Sequence, residues 1–238
     1  MSTDKNLNSA QSRLRELANP VVAEQSKRFF KTGSGEYAEG DRFMGIPVPA
    51  LRAQVKYYAS LPLCDIAKLI RSPFHEERFF ALILLVRQME KSTSGQHSAI
   101  FEFYLNHTQH INNWDLVDCS AYKIVGVYLF DKSRGPLYRL AESSSMWERR
   151  IAIISTLHFI KNGEFQDTLK LSEILLRDEK DLMHKAVGWM LREVGNRDRA
   201  TEQAFLKRHY KTMPRTMLRY AIEKFPEQER QAYLQGTC

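Results

Sequence analysis

The chain has 238 residues, enough to bury a substantial core as one large domain or two small ones. Its 43% hydrophobic and 26% charged residues are typical of a soluble globular protein. The sequence contains no run of about 18 uncharged apolar residues, the length that a membrane-spanning helix needs. Cys64, Cys119 and Cys238 are scattered, which excludes a CxxC motif and argues against a disulfide framework. Because the amino-terminal segment also lacks an apolar signal region, we expect a cytoplasmic protein.

The formal net charge is +7 and the isoelectric point is about 9.3, which favours a polyanionic partner. Both halves of the chain contribute to the excess, so any basic surface must be created by folding. Basic residues can also form an ordinary solvated face that binds no partner, and this alternative stays open for the cluster at 207–219. The densest cluster of cations with no acidic residue between them is Lys207, Arg208, Lys211, Arg215 and Arg219.

The first part of the chain predicts two helices within residues 5–31, separated at Asn19-Pro20. A glycine-rich stretch, residues 32–48, then predicts the main loop. Its Gly33-Ser34-Gly35 segment lacks the GxxxxGK[ST] pattern and follows no strand, so we interpret the loop as a surface connection rather than a phosphate site.

Helical patterns fill the rest of the chain, and almost no alternating apolar and polar run indicates a strand. Gly163, Gly195 and Pro226 mark several of the junctions. The sequence therefore predicts an all-α protein. The predicted helices are 49–60, 62–71, 74–91, 96–108, 113–130, 135–143, 146–161, 164–177, 181–194, 199–210, 214–225 and 227–235.

A weak internal repeat organises residues 49–236. Five similar amphipathic segments begin at His75, Trp114, Trp147, His184 and Thr216, at separations of 39, 33, 37 and 32 residues. Helix pairs with about this period build solenoids. We therefore expect a single domain over residues 1–238, a curved solenoid of stacked antiparallel helix pairs of HEAT-like type. Its concave surface would be lined by the first turns of successive repeats.

The most distinctive stretch is residues 111–128, INNWDLVDCSAYKIVGVY, where two carboxylates lie inside an apolar helix. Asn112 or Asn113 can cap the start of this helix. Trp114, Asp118 and Tyr122 follow an i, i+4, i+8 spacing and so share one face. A carboxylate between aromatic rings is costly to bury without a partner, which indicates either a hidden basic partner or a site that uses the charge.

Stacking the repeats in register would make the first turns of successive repeats neighbours. Cations beside aromatic rings suit nucleic acid, because cations meet phosphates and rings meet bases. A carboxylate on such a surface could meet a base alkylated at a ring nitrogen, or the oxocarbenium-like sugar that forms when its glycosidic bond breaks. The residues expected in this alignment are Trp114 and Asp118, Trp147 and Arg150, Lys185 and Trp189, and Arg215 and Arg219.

Plainer readings remain open for the same residues. Asp115 or Asp118 could simply pair with a neighbouring arginine, and the tryptophans at helical positions could be core residues. The segment that begins at His75 starts like the zinc motif HExxH, but Phe79 occupies the place of the second histidine. We therefore expect no metal site.

Four strings resemble the AlkD-type DNA alkylation-repair glycosylases: FMGIPVPALR at 43–52, NNWDLVD at 112–118, MWERRIAI at 146–153 and HKAVGWMLRE at 184–193. The resemblance extends over roughly residues 10–230 in the same order. It implies an all-helical HEAT-like solenoid that holds double-stranded DNA. It also implies hydrolytic release of cationic N3- and N7-alkylated purines without a metal or redox cofactor.

The resemblance also implies roles for particular residues. Asp118 corresponds to the catalytic carboxylate, Trp114 and Trp189 to aromatic contacts at the lesion, and Arg150 to a phosphate contact. Phe29 matches an early position where the family can carry tyrosine, so the ring is kept and any hydroxyl contact is lost.

These observations predict a monomeric, monofunctional alkylpurine DNA glycosylase. Lys185, Arg215 and Arg219 would extend the track of phosphate contacts. One alternative is a non-catalytic HEAT-repeat protein that binds damaged or distorted DNA. Another is a protein-interaction scaffold, the commoner use of helical repeats.

Overall fold

A computed structural model describes residues 5–238. Residues 1–4 belong to the expected domain and to the amino-terminal segment that we expect to lack a signal, and they lie outside the described residues. Residues 5–238 form helices and connecting loops without a β-strand, and one isolated bridge joins Arg42 and Phe74. The predicted all-α class is confirmed. Within this part of the chain, no helix combines the length and the apolar character needed to cross a membrane.

The helices begin and end close to the predicted positions, and most of them differ from prediction by only a few residues. The seven helices of the first half are α1 (Leu7–Glu16), α2 (Pro20–Phe29), α3 (Val48–Tyr58), α4 (Leu63–Ile70), α5 (His75–Lys91), α6 (Ser94–Leu105) and α7 (Trp114–Ala121). The remainder are α8 (Val127–Leu129), α9 (Gly135–Ala141), α10 (Met146–Ser155), α11 (Leu157–Lys161), α12 (Gln166–Leu175), α13 (Asp181–Gly195), α14 (Arg199–His209), α15 (Arg215–Ala221) and α16 (Glu227–Gln235).

Local side-chain chemistry explains the predicted break between the first two helices. The Asn19 side chain accepts hydrogen bonds from the backbone N–H groups of Val21 and Val22, at 3.0 and 3.3 Å. Pro20 occupies the first helical position, where its missing N–H costs nothing. The Asn19-Pro20 pair therefore starts α2, as the sequence predicted.

Two compact units divide the chain, an amino-terminal unit (Met1–Ser120) and a carboxy-terminal unit (Ala121–Cys238). Helix α5 is the core of the amino-terminal unit and contacts α3, α4 and α6. It is buried continuously from His75 to Val86. A helix that is buried on all sides must satisfy its polar groups inside the protein. The single domain spanning residues 1–238 stays a prediction.

Helix α13 has the corresponding place in the carboxy-terminal unit. It packs against α10, α12, α14 and α15, while α10 also packs against α9. Helix pairs are therefore stacked within this unit, as the repeat pattern predicted.

The predicted continuous helix 113–130 contains a wider turn. The residues Tyr122–Gly126 form a π-helix between α7 and α8. A Cβ atom on Gly126 would lie 2.3 Å from the carbonyl oxygen of Ser155, so the backbone approaches this residue as only glycine allows. The hydrophobic period of the sequence does not reveal a single wider turn.

The loop predicted as a surface connection is partly buried, because residues 43–46 lie in the core. The carboxylate of Glu76, at the start of α5, accepts hydrogen bonds from the backbone N–H groups of Met44, Gly45 and Ile46, at 2.9, 2.7 and 3.3 Å. Gly45 has a φ of +77°, and a Cβ there would lie 2.1 Å from the carbonyl oxygen of Asn19. The glycine and the buried carboxylate together fix this segment.

The outer part of the same loop binds its own acidic side chains. The backbone N–H of Gly33 donates to Glu36 at 2.8 Å, and that of Gly35 donates to Glu39 at 2.9 Å. Carboxylates therefore already accept hydrogen bonds from the backbone N–H groups that a phosphate would need.

Helix α14 carries an acidic residue that the fold buries without a full set of partners. Glu202 is only 2% exposed, and its Oε1 atom has no hydrogen-bond partner among the described residues. Burial raises the pKa of Glu202 to about 8, although Arg199 and Arg192 oppose the shift. The folded protein therefore retains a proton that the unfolded chain releases near pH 4.5.

We expect Glu202→Gln to stabilise the protein at alkaline pH. The free energy of unfolding of the wild type falls between pH 4.5 and 8, because the unfolded state binds fewer protons than the folded state. At pH 9 the variant should gain about 1–3 kcal/mol over the wild type, and at pH 4.5 the gain should largely vanish. Urea unfolding at both pH values measures this, with Glu142→Gln, at an exposed position, as the control. An equal difference at the two pH values would contradict the proton retained by Glu202.

Candidate active site

The first turn of α7 is built by two polar residues. The buried side chain of Asn113 accepts a hydrogen bond from the backbone N–H of Trp114 at 2.8 Å, and Asp115 accepts one from Leu116 at 2.8 Å. Asn113 therefore occupies the predicted position at the helix start. The side chain of Asn112 instead donates to Asp41 at 3.2 Å.

Trp114 lies against two phenylalanines at the end of α2. Its ring stacks on Phe30, with ring centroids 5.7 Å apart and an angle of 28° between the planes. It meets Phe29 edge-on, at 6.0 Å and 67°. Phe29 is 64% exposed, whereas Phe30 is half-buried, so Phe29 presents an aromatic surface to solvent beside Trp114.

Asp118 follows Trp114 by one helical turn, on the same face of α7. Both side chains are half-buried. Burial raises the pKa of the Tyr104 phenol, and the negative charge of Asp118 adds to this effect. Asp118 thus acts electrostatically on the core of the amino-terminal unit while part of its side chain remains accessible. The structure brings Phe29, Trp114 and Asp118 into one region of this unit.

The hidden partner of Asp115 is a histidine rather than the arginine that the sequence suggested. The Nε2 atom of His75 lies 2.8 Å from Oδ2 of Asp115. Its Nδ1 atom lies 3.6 Å from Oδ2 of Asp41, in the loop before α3. The imidazole also packs against the rings of Phe30 and Phe43, with centroids 4.8 and 4.9 Å away.

An arginine completes this cluster at Asp41. The Nη2 atom of Arg78 lies 2.8 Å from Oδ1 of Asp41, and the side chains of Asp41, His75 and Arg78 are each no more than 6% exposed. We define the buried charge cluster as Asp41, His75, Arg78 and Asp115. When the imidazole of His75 is protonated, the cluster contains two positive and two negative groups.

Electrostatics favour that protonated form. Burial lowers the pKa of His75, but the hydrogen bond to Asp115 and the interaction with Asp41 outweigh burial and raise it to about 9. Burial likewise opposes ionisation of Asp41, yet His75, Arg78 and Asn112 hold its pKa below the usual value. His75 and Asp41 are therefore both ionised at neutral pH.

The sequence contains a signal for this cluster at the start of α5. The polar residues His75, Glu76, Glu77 and Arg78 open α5, which is buried from its first residue, and all four are less than 5% exposed. Four successive polar residues at the start of a buried helix need internal partners. Among residues 5–238, no group of three or more histidine, cysteine or acidic side chains is arranged to hold a metal ion.

Trp189 is half-buried on α13, as Trp114 is on α7. Its Nε1–H donates to Glu193 at 3.2 Å, and Glu193 also binds Arg197 at 2.9 Å. The neighbouring Gly188 faces α15, where a Cβ would lie 2.4 Å from the carbonyl oxygen of Met217. The Gly-Trp pair thus combines a close helix crossing with a partly accessible indole.

Two predicted DNA-contacting cations of the carboxy-terminal unit also bind the protein itself. Arg150 is 5% exposed, and its Nη1 donates to the carbonyl oxygen of Leu182 at 2.5 Å. Lys185 is partly exposed and forms an ion pair with Asp181 at 2.7 Å. Arg150 therefore joins α10 to the start of α13, and its phosphate contact stays a prediction.

Helix α15 carries the other two predicted cations, Arg215 at its start and Arg219 in its last turn. Arg215 and Arg219 are exposed, and neither forms an ion pair within residues 5–238. The hydrogen bond from Lys185 and a weaker one from Thr216 hold the pKa of Asp181 below its usual value. Within the carboxy-terminal unit, α13 packs against both α10 and α15, and the Asp181–Thr216 contact joins the starts of α13 and α15. The alignment of the cations along one surface stays a prediction.

The comparisons identify the class to which this fold belongs. The sequence profile of the DNA alkylation repair enzyme family matches residues 10–225, and the chain belongs to this family. Membership supports a role in the repair of alkylated DNA, with DNA as the substrate. A comparison with curated protein sequences finds no match.

One solved structure with the same fold is described as a "Predicted DNA alkylation repair enzyme from Enterococcus faecalis". The two structures superimpose with a TM-score of 0.69 and 18% sequence identity, over 88% of this chain and 97% of that chain. This similarity supports the shared helical fold.

We expect Gly188→Ala to destabilise the protein by about 1–3 kcal/mol, because the added methyl group would force α13 and α15 apart. Urea unfolding measures the loss. Gly95→Ala is the control, because a Cβ at this position of α6 meets nothing within 4 Å and alanine favours a helix. Equal stability of Gly188→Ala and the wild type would contradict the close helix crossing.

Proposed function

We propose that the protein is a monofunctional DNA glycosylase that hydrolyses the N-glycosidic bond of N3- and N7-alkylated purines in double-stranded DNA. The observation that carries this proposal is the arrangement of Trp114, the exposed ring of Phe29 and Asp118 on one region of the amino-terminal unit. Membership of the DNA alkylation repair enzyme family supports it.

The substrate class explains why a carboxylate serves on a DNA-binding surface. A purine alkylated at N3 or N7 carries a positive charge, which aromatic faces and a carboxylate both attract. When the bond between the sugar and the base breaks, the base leaves as a neutral molecule and the sugar becomes oxocarbenium-like. Water then adds its oxygen to the sugar carbon and releases a proton. Such a leaving group needs no general acid.

In this proposal Asp118 stabilises the positive sugar and positions the water. Trp114 and Phe29 contact the cationic nucleotide through their rings, and Phe29 supplies no hydroxyl group. Trp189 provides a further aromatic contact to the DNA. Arg150, Lys185, Arg215 and Arg219 contact phosphates. We also propose that the enzyme acts as a monomer and needs no metal or redox cofactor.

We expect Asp118→Asn to lower the rate of base release at least about 100-fold, because it removes the negative charge that stabilises the transition state. Duplex DNA treated with a methylating agent is the substrate, and chromatography separates the released bases. Asp65→Asn is the matched control: it removes a carboxylate from the first turn of α4, where Asp65 pairs with Lys68. This control should release bases at the wild-type rate.

The same assay separates the competing functions. Release by the wild type and by Asp65→Asn, but not by Asp118→Asn, supports the glycosylase and its carboxylate together. Wild-type release by Asp118→Asn would contradict the catalytic role. No release by any form, with salt-sensitive DNA binding retained, would favour the non-catalytic DNA-binding protein.

We expect Arg219→Ala to weaken DNA binding and to lower the slope of log K against log salt by about 0.9, the effect of losing one phosphate contact. Titrations at several salt concentrations measure the slope. Lys68→Ala is the control, since it removes one exposed positive charge that Asp65 already pairs. Identical slopes for Arg219→Ala and the wild type would contradict the assignment. Arg150→Ala is a poorer test, because Arg150 also holds Leu182.

A further inference from the structure

The buried charge cluster joins separate segments of the amino-terminal unit to the helix that carries Asp118. Asp41 comes from the loop before α3, His75 and Arg78 come from the first turn of α5, and Asp115 comes from the first turn of α7. The ring of Phe30, at the end of α2, packs against both His75 and Trp114.

We propose that His75 is a positioning residue for base excision: its imidazole, held between Asp41 and Asp115, fixes the first turn of α7 and thereby the placement of Trp114 and Asp118. This inference rests on the proposed glycosylase function. His75 is buried, so it acts through Asp115 and the aromatic rings rather than on the DNA.

The geometry of α7 makes the position of its first turn depend on the contact between His75 and Asp115. Asp115 lies between Trp114 and Leu116, and its two carboxylate oxygens bind different groups: Oδ1 accepts from the backbone of Leu116, and Oδ2 faces His75. Asp118 follows Asp115 by three residues in the same helix. A shift at Asp115 therefore changes the positions of both proposed site residues.

The ring contacts add a second restraint on Trp114. Phe30 packs against His75 and stacks on Trp114, while Phe43 packs against both Phe30 and His75. Loss of the imidazole would remove one of the rings that pack against Phe30. Asp115 and Phe30 thus transmit the position of His75 to Trp114 by two separate contacts.

Charged groups face His75 from each segment of the cluster. Burial and Arg78, on the same helix, lower the pKa of His75, but Asp115 and Asp41 outweigh them and raise it to about 9. Because this value exceeds the usual 6.5, the contribution of His75 to stability is fully present below pH 6.5 and is lost as the pH rises through 9. The positioning contact should follow the same dependence.

Three substitutions at His75 separate its contacts. His75→Phe removes both nitrogens, His75→Gln keeps a donor near the Nε2 position that faces Asp115, and His75→Asn keeps one near the Nδ1 position that faces Asp41. We expect His75→Phe to lower kcat for base release about 10- to 100-fold, as misplacement of reacting groups does. His75→Gln should retain more activity than His75→Asn, because only glutamine can still hold α7. The slope of DNA binding against salt should not change.

Gln88→Leu is the matched control for a loss of stability in α5. Gln88 lies in the same helix, 13 residues after His75, and donates to the carbonyl oxygens of Ala59 and Leu61 at 3.0 and 2.7 Å. This variant weakens the packing of α5 about 20 Å from the first turn. It should lose stability but keep the wild-type kcat at a temperature where it remains folded.

A second measurement does not depend on glycosylase activity. Trp147→Phe with Trp189→Phe leaves Trp114 as the only tryptophan of the chain. In this background, His75→Phe should increase quenching of the Trp114 fluorescence by acrylamide, and Gln88→Leu should not. In ¹⁵N NMR spectra, His75 should carry protons on both ring nitrogens at pH 7 and should titrate near pH 9.

The outcomes distinguish this inference from the proposed function. If the wild type releases no base, the glycosylase proposal fails, while the fluorescence of Trp114 still tests the positioning contact. If activity among the His75 variants and Gln88→Leu simply follows stability, or if His75→Phe leaves Trp114 quenching unchanged, the positioning role is overturned. Equal kcat for His75→Gln and His75→Asn would also overturn it, because the contact with Asp115 would then not matter.

Discussion

Ionised groups buried at the start of α5 impose the constraint on which the amino-terminal unit depends. A charge inside a protein is tolerated only when partners replace water, and the fold brings Asp41 and Asp115 to His75 and Arg78 for this purpose. Glu76, next in the same turn, accepts hydrogen bonds from the backbone N–H groups of residues 44–46. The loop before α3 and the start of α7 are thereby held to the same helix.

That constraint has a functional consequence because α7 carries the proposed site. The helix that places Asp118 one turn after Trp114 is held through Asp115, which the sequence presents as a second candidate carboxylate. The structure separates the two aspartates: Asp115 is bound to a buried imidazole, and Asp118 lies on the face that carries Trp114. One carboxylate supports the helix, and the other is the better candidate for chemistry on a cationic base.

The sequence predicted the helices well because the signals involved are local. Asn19-Pro20 starts α2 through hydrogen bonds that span three residues. The hydrophobic period indicated the long helix after residue 113 but not the wider turn at Tyr122–Gly126, because a single wider turn is too short to change the period of the whole segment. The glycine-rich loop was predicted to be exposed, whereas Glu76 and Gly45 bury part of it through contacts with residues far along the chain.

For the site, the spacing of Trp114 and Asp118 by itself determined that they share a helical face, and the resemblance singled out Phe29, Trp189 and Arg150. Only the tertiary structure decided the surroundings of these residues: the exposed Phe29 beside Trp114, Arg150 on the carbonyl of Leu182, and His75 on Asp115. The physical reason is sequence separation. A helix face follows from residues four positions apart, whereas the partner of a buried charge can come from any segment that the fold brings within about 3 Å.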